Sequence, residues 1–154
     1  MRGIINKMAL FKDINYTPVE IPEKDLIHSN SFVVMPKHTN YMENLIFGGH
    51  FMGELDLCCA VLTTKLVRYS PTANNAVTFK VTDLEFMGPS FVGDIIYMYA
   101  TCTELRQKAI AISIRAERET RQSSERFPIA KANFVFVTRN DNTYCKHFLK
   151  LKET

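Results

Sequence analysis

His38-Thr39-Asn40-Tyr41-Met42-Glu43-Asn44-Leu45-Ile46-Phe47-Gly48-Gly49-His50-Phe51-Met52-Gly53-Glu54-Leu55-Asp56 is the most informative stretch of this chain. A His-Thr-Asn triplet and a short polar bridge lead to Phe47-Gly48-Gly49, and a helix with Asp56 among apolar neighbours follows. Paired glycines at a helix start let a ligand approach free backbone N–H groups closely. A carboxylate two turns further in is costly to keep in apolar surroundings unless it has a partner or a task. Together the two features point to acyl transfer, with an amide-lined oxyanion hole next to a base.

Working outward, Phe51, Leu55, Cys58, Leu62 and Leu66 recur at helical spacing and predict a helix over 48–68. Gly53, Leu57, Ala60 and Val61 make the opposite side apolar as well, which predicts burial on most sides. Asp56 lies on the flank with Met52, Cys59, Ala60 and Thr63, and Tyr69-Ser70-Pro71 stops the helix. Upstream, 1–30 reads as irregular, broken by Pro18 and Pro22, and 31–35 reads as a short strand ended by Pro36. Downstream, Val77, Phe79 and Val81 alternate with polar residues until the phase switches at Asp83, the signature of a bulge. Further strands are expected over 94–104, at Ile110, Ile112 and Ile114, and at Ala130, Ala132, Phe134 and Phe136. The order predicts an α+β fold in one domain, 1–154, with its core over 31–138. The tail from Asn140, with Lys146, Lys150 and Lys152, is polar and basic and is expected to be loosely held.

Composition bounds the function. A chain of 154 residues with 46% hydrophobic and 23% charged residues suits one globular domain. A formal charge of +3 is too mild to argue for nucleic acid, though it favours an anionic ligand. Cys58, Cys59, Cys102 and Cys145 form no C-x-x-C pair, so neither zinc nor a disulfide framework is expected, and reduced cytoplasmic thiols fit better. No signal peptide and no apolar run long enough for a membrane span is read.

These residues resemble the hotdog-fold acyl-CoA thioesterases of the acyl-CoA hydrolase kind. The resemblance rests on three blocks in order: His38-Thr39-Asn40 leading to Phe47-Gly48-Gly49, Met52 and Asp56; then Val77-Thr78, Val81, Leu84-Glu85-Phe86, Pro89 and Val92-Gly93-Asp94; then Phe134-Val135-Phe136-Val137. It implies a curved antiparallel sheet wrapped around one long helix, with subunits joined edge to edge as a homodimer or higher oligomer and sites between subunits. The implied reaction is hydrolysis of acyl-CoA to free acid and CoA, with no cofactor or metal beyond the CoA of the substrate. Asp56 is then base or nucleophile, Asn40 assists from the partner subunit, and the Gly49 and His50 amides receive the oxyanion. Asn44 stands where the family usually has a glycine, and Asn is the best substitute at a left-handed position.

Each residue also has a plainer reading. Asp56 fits a salt-bridged structural acid, Asn40 a turn residue, Thr78 an ordinary strand threonine and His38 a structural histidine. His50 fits a pocket or interface residue, and Tyr97 and Tyr99 fit packing. Arg106, Lys108 and Arg115 fit either the CoA phosphates or a solvated strand end. An alternative function is a non-catalytic acyl-CoA-binding regulatory protein. A dehydratase ranks last, because no histidine follows Asp56 until His147. The apolar exposure expected around Ile95, Ile96, Tyr97 and Met98 further predicts burial against a copy.

Overall fold

The computed structural model describes residues 16–39 and 44–153. Strands β1 (Val19–Glu20) and β2 (Ile27–Val33) precede helix α1 (Gly48–Val67). Four long strands follow: β3 (Asn75–Phe86), β4 (Ile95–Arg106), β5 (Ala109–Glu119) and β6 (Arg126–Asn140). Short strands β7 (Thr143–Tyr144) and β8 (Leu149–Lys150) end the chain. The main sheet is antiparallel in the order β2-β4-β5-β6-β3, with β7 on β6. It curls around α1, the architecture that the resemblance implies.

Alternation in β4, β5 and β6 builds the inner face. Ile96, Met98, Ala100, Ile110, Ile112, Ile114, Ala132, Phe134 and Phe136 are all buried against Phe51, Leu55, Cys58, Leu62 and Leu66 of the helix. Each large aliphatic or aromatic side chain so buried contributes about 1.5–3 kcal/mol. The outer face explains why β4 looks apolar on both sides. Arg126 lies over the Tyr97 ring at 3.7 Å, and Arg115 over Tyr99 at 4.2 Å. The apolar look of Ile95 to Met98 therefore has a source within the chain. Ile96 and Met98 face the core and are fully buried, while arginines from neighbouring strands roof the tyrosines.

Three further expectations change. The helix is not covered all round: Leu57 is 62% exposed, and Met52, Gly53 and Val61 are exposed too, because the sheet covers one side only. The strand read at 31–35 begins earlier, at Ile27, where cross-strand pairing with β4 holds residues of little local propensity. The tail from Asn140 is held rather than loose. β8 pairs in parallel with β1, Leu149 is buried, and His147 is 1% exposed. The Ser70 hydroxyl donates to the His147 carbonyl at 2.7 Å, and the Thr72 hydroxyl donates to that of Lys146.

β3 is an edge strand, and it is irregular. Its register with β6 slips between Thr82 and Glu85, with Asp83 at φ 54, as the phase switch predicts. A second slip between Thr78 and Lys80 was not legible, and there Phe79 turns outward, 69% exposed.

Candidate functional site

α1 runs antiparallel to β3, and the seam between them orders the site. At one end the Phe51 and Phe86 rings lie 5.6 Å apart, beside Gly48. Midway, Asp56 meets Thr78. At the far end Thr64, Val67, Arg68, Asn75 and Ala76 are among the residues lining a cleft of about 400 Å³.

The Thr78 hydroxyl donates to Asp56 Oδ1 at 2.7 Å. Thr78 pairs with Phe136 just before the register slip, so the bulge ends the regular pairing next to the residue that meets the helix. Among the described residues Asp56 Oδ2 has no hydrogen-bond partner, and Asp56 is half-buried. The carboxylate is thus oriented by one hydroxyl and keeps one oxygen free. The neighbouring thiols are poor nucleophiles. Burial pushes Cys58 up to about 11, and Cys59 is raised further by burial first and then by Cys58 and Asp56.

Gly48 and Gly49 form the first turn of α1 and have no positive φ. The first helical hydrogen bond is Phe51 N–H to the Phe47 carbonyl at 3.0 Å, so the N–H groups of Gly48, Gly49 and His50 have no intrahelical acceptor. A Cβ at Gly49 would come within 2.7 Å of the exposed Phe47 ring, which would have to swing aside. These amides and the helix dipole suit an oxyanion. Yet Gly49 and Asp56 stand seven residues apart, roughly 10 Å along the axis. Within one chain the amides and the carboxylate are therefore separated along the helix axis.

The bridge before the helix is pinned on both sides. Asn44 adopts φ 66, the left-handed position its sequence context predicts. Thr39 bridges Ile46 and Leu45 bridges Phe91, while the Val92 N–H donates to Asn44 and the Phe47 N–H to His38. Asn40 lies outside the described residues, so its placement relative to Asp56 is not assigned.

The basic candidates divide. Arg106 is tied to Glu104 by paired hydrogen bonds of 2.8 and 2.9 Å. Lys108 makes no ion pair among the described residues. The Lys108 carbonyl accepts the Thr138 N–H, and Thr138 pairs with Ala76, so this turn lies one strand beyond the cleft. Arg115 is committed to Tyr99 and Glu117 on the outer face, away from the seam. His50 is exposed beside the Phe47 ring.

Sequence reasoning undervalued two supports. His38 is buried and reaches Glu54 of α1. Arg118 donates to the Pro89 carbonyl at 2.6 Å and lies 3.8 Å from Asp94, whose Oδ2 accepts the Phe91 N–H. That pair steadies the 87–94 loop, against which the bridge before the helix is laid. The Val92-Gly93-Asp94 block was the available signal for Asp94; nothing local flags Arg118.

An acyl-CoA thioester hydrolase of Escherichia coli is 27% identical over 124 residues, spanning 79% of this chain and 88% of that protein. A hexameric thioesterase from Yersinia pestis superposes with a TM-score of 0.68 at 26% identity, over 77% of this chain and 91% of its own. A variant acyl-CoA hydrolase from Staphylococcus aureus in complex with coenzyme A gives a TM-score of 0.76 at 18% identity, over 89% of this chain and 80% of its own, a likeness of fold. The model of the thioesterase superfamily matches residues 43–125, more than half of the chain and inclusive of Gly49, Asp56 and Thr78. The chain belongs to the thioesterase superfamily.

Proposed function

We propose that this protein hydrolyses acyl-CoA thioesters in a site shared between two copies of the chain. The observation that carries the reading is Asp56, half-buried on the seam and oriented through Oδ1 by Thr78, in a member of this superfamily. Asp56 Oδ2 takes a proton from water as the water oxygen bonds to the thioester carbonyl carbon. The developing oxyanion is received by the Gly49 N–H of a second copy, because the Gly49 of the same chain is too far along the helix. Collapse breaks the C–S bond, and the CoA thiolate leaves with a proton, giving free acid and CoA. Water, a carboxylate and amides suffice for this chemistry, which calls for no metal or cofactor.

The exposed side of α1 with Leu57 and Val61, and the β3 edge with Phe79 and Val81, supply apolar surface for the second copy. The Yersinia pestis relative is itself hexameric. For the CoA phosphates we assign Lys108 rather than Arg106, whose guanidinium Glu104 already holds. Four free cysteines favour a reducing, cytoplasmic setting, and no described helix is long and apolar enough to cross a membrane.

A thiol-release assay over acyl-CoAs of graded chain length tests the activity. Turnover lost in Asp56→Asn with retained acyl-CoA binding supports it; binding without turnover in the parent favours the regulatory alternative. Exchange of subunits between Asp56→Asn and Asn40→Ala proteins tests sharing. A mixed dimer holds one site free of both lesions, so activity should return on exchange.

A further inference from the structure

We propose that His38 is a positioning residue for the helix turn that carries the Gly49 and His50 amides, acting with Glu54. The inference rests on the oxyanion reading above and adds what holds that turn in place.

His38 joins three segments. Its Nδ1 accepts the Met35 N–H at 2.9 Å, tying it to the end of β2. Its carbonyl accepts the N–H of Phe47, the N-cap of α1, at 2.9 Å. Its Nε2 lies 3.7 Å from Glu54 Oε1, in the second turn of the helix. The Nδ1 bond fixes the tautomer: with Nδ1 an acceptor, the neutral ring carries its proton on Nε2, directed at Glu54. Phe32 packs against the ring at 5.2 Å. The helix start has no side-chain cap of its own, since Phe47 supplies none. Its orientation therefore depends on such outside anchors, and a misplacement of about 1 Å in a catalytic group can cost about a hundredfold in rate.

The charged and titratable neighbours are Glu54 and His50 on α1 and Lys37 on the turn of His38 itself. Burial lowers the pKa of His38, Glu54 opposes this, and Lys37 and His50 reinforce it. A proton added at Nδ1 would face the Met35 N–H donor and break that tie, so acid should loosen the turn.

Butyryl-CoA hydrolysis by the full chain, followed by thiol release across pH, tests this in the parent, His38→Gln, His38→Asn and Glu54→Gln. Gln at 38 loses the Met35 tie; Asn keeps that acceptor and loses the reach to Glu54. Each single variant should lower kcat about ten- to a hundredfold with KM within about twofold. The parent's kcat should fall on acidification below pH 6.5, and His38→Asn should lose that acid limb. Folded single variants with parental kcat and pH profile overturn the role, as does a loss confined to KM. Single variants that all unfold also overturn it, because His38 and Glu54 would then hold the fold as a whole. A parent inactive on every acyl-CoA overturns the function reading and this role with it.

Discussion

The sheet interior and the α1–β3 seam are built from one helix and show opposite habits. In the interior, β5 pairs regularly with β6 over Ala109 to Ala116, and its alternate side chains all reach the core. On the seam, β3 slips register twice, exposes Phe79 and Val81 and sets Thr78 on Asp56. Regular pairing maximises burial. Irregular pairing on an edge strand forgoes some burial and lets one polar side chain leave the alternation. Stability and chemistry are thus expected to separate by region, and mutations can test that separation.

The largest effect should fall on the seam. Asp56→Asn should cut turnover by about 10²–10⁴-fold. Its thermal midpoint should stay close to the parent's; a midpoint that collapses instead would make Asp56 a structural acid and erase the contrast. Next in size, Phe134→Ala should destabilise by about 3–5 kcal/mol in urea unfolding, because a fully buried ring leaves a cavity. The same truncation at Phe79, mostly exposed in one chain, should cost under about 0.5 kcal/mol in a monomer. A smaller effect sharpens the reading of β3 as an interface. Val81→Lys on the edge should shift light-scattering mass toward 17.7 kDa and lower activity in step, as the proposed shared site requires. Assembly unchanged by that lysine would move the interface elsewhere.

The smallest effect concerns His147, which belongs to the interior's habit of complete pairing. Its Nδ1 accepts the Leu149 N–H at 2.9 Å, and its Nε2 faces the Ala109 carbonyl at 3.2 Å. Burial lowers its pKa below 6.5, while backbone acceptors partly oppose the shift. The neutral form is favoured by folding, so its stabilisation is complete above pH 6.5 and falls as pH drops toward the lower folded value. In His147→Asn the decline in thermal midpoint on acidification should be shallower than in the parent. Equal declines would count against His147 as the titrating latch of the tail.

Local pattern determined much of this molecule. Helical spacing from Phe51 to Leu66 marked the side that packs on the sheet, because burial of a repeated stripe is a local signal. Period-two alternation marked the inward residues of β5 and β6, and Asn44 was legible as a left-handed residue. Asp56 and Thr78 were each singled out, and the fold brings them to hydrogen-bond distance. Tertiary structure alone decided the rest. The slip at Phe79 depends on how β3 meets β6, which nothing within β3 encodes. The tyrosines of β4 read as an uncovered surface because the arginines that roof them lie on β5 and β6. The tail looked free because Ser70, Thr72 and Ala109, which hold it, are distant in sequence. His38 was legible as a structural histidine but its partner was not, because Glu54 reaches it only after the chain has turned back through the Gly-Gly start of the helix. Periodicity reports which way a side chain points, whereas partners far apart in the chain meet only when loop closure and packing are complete.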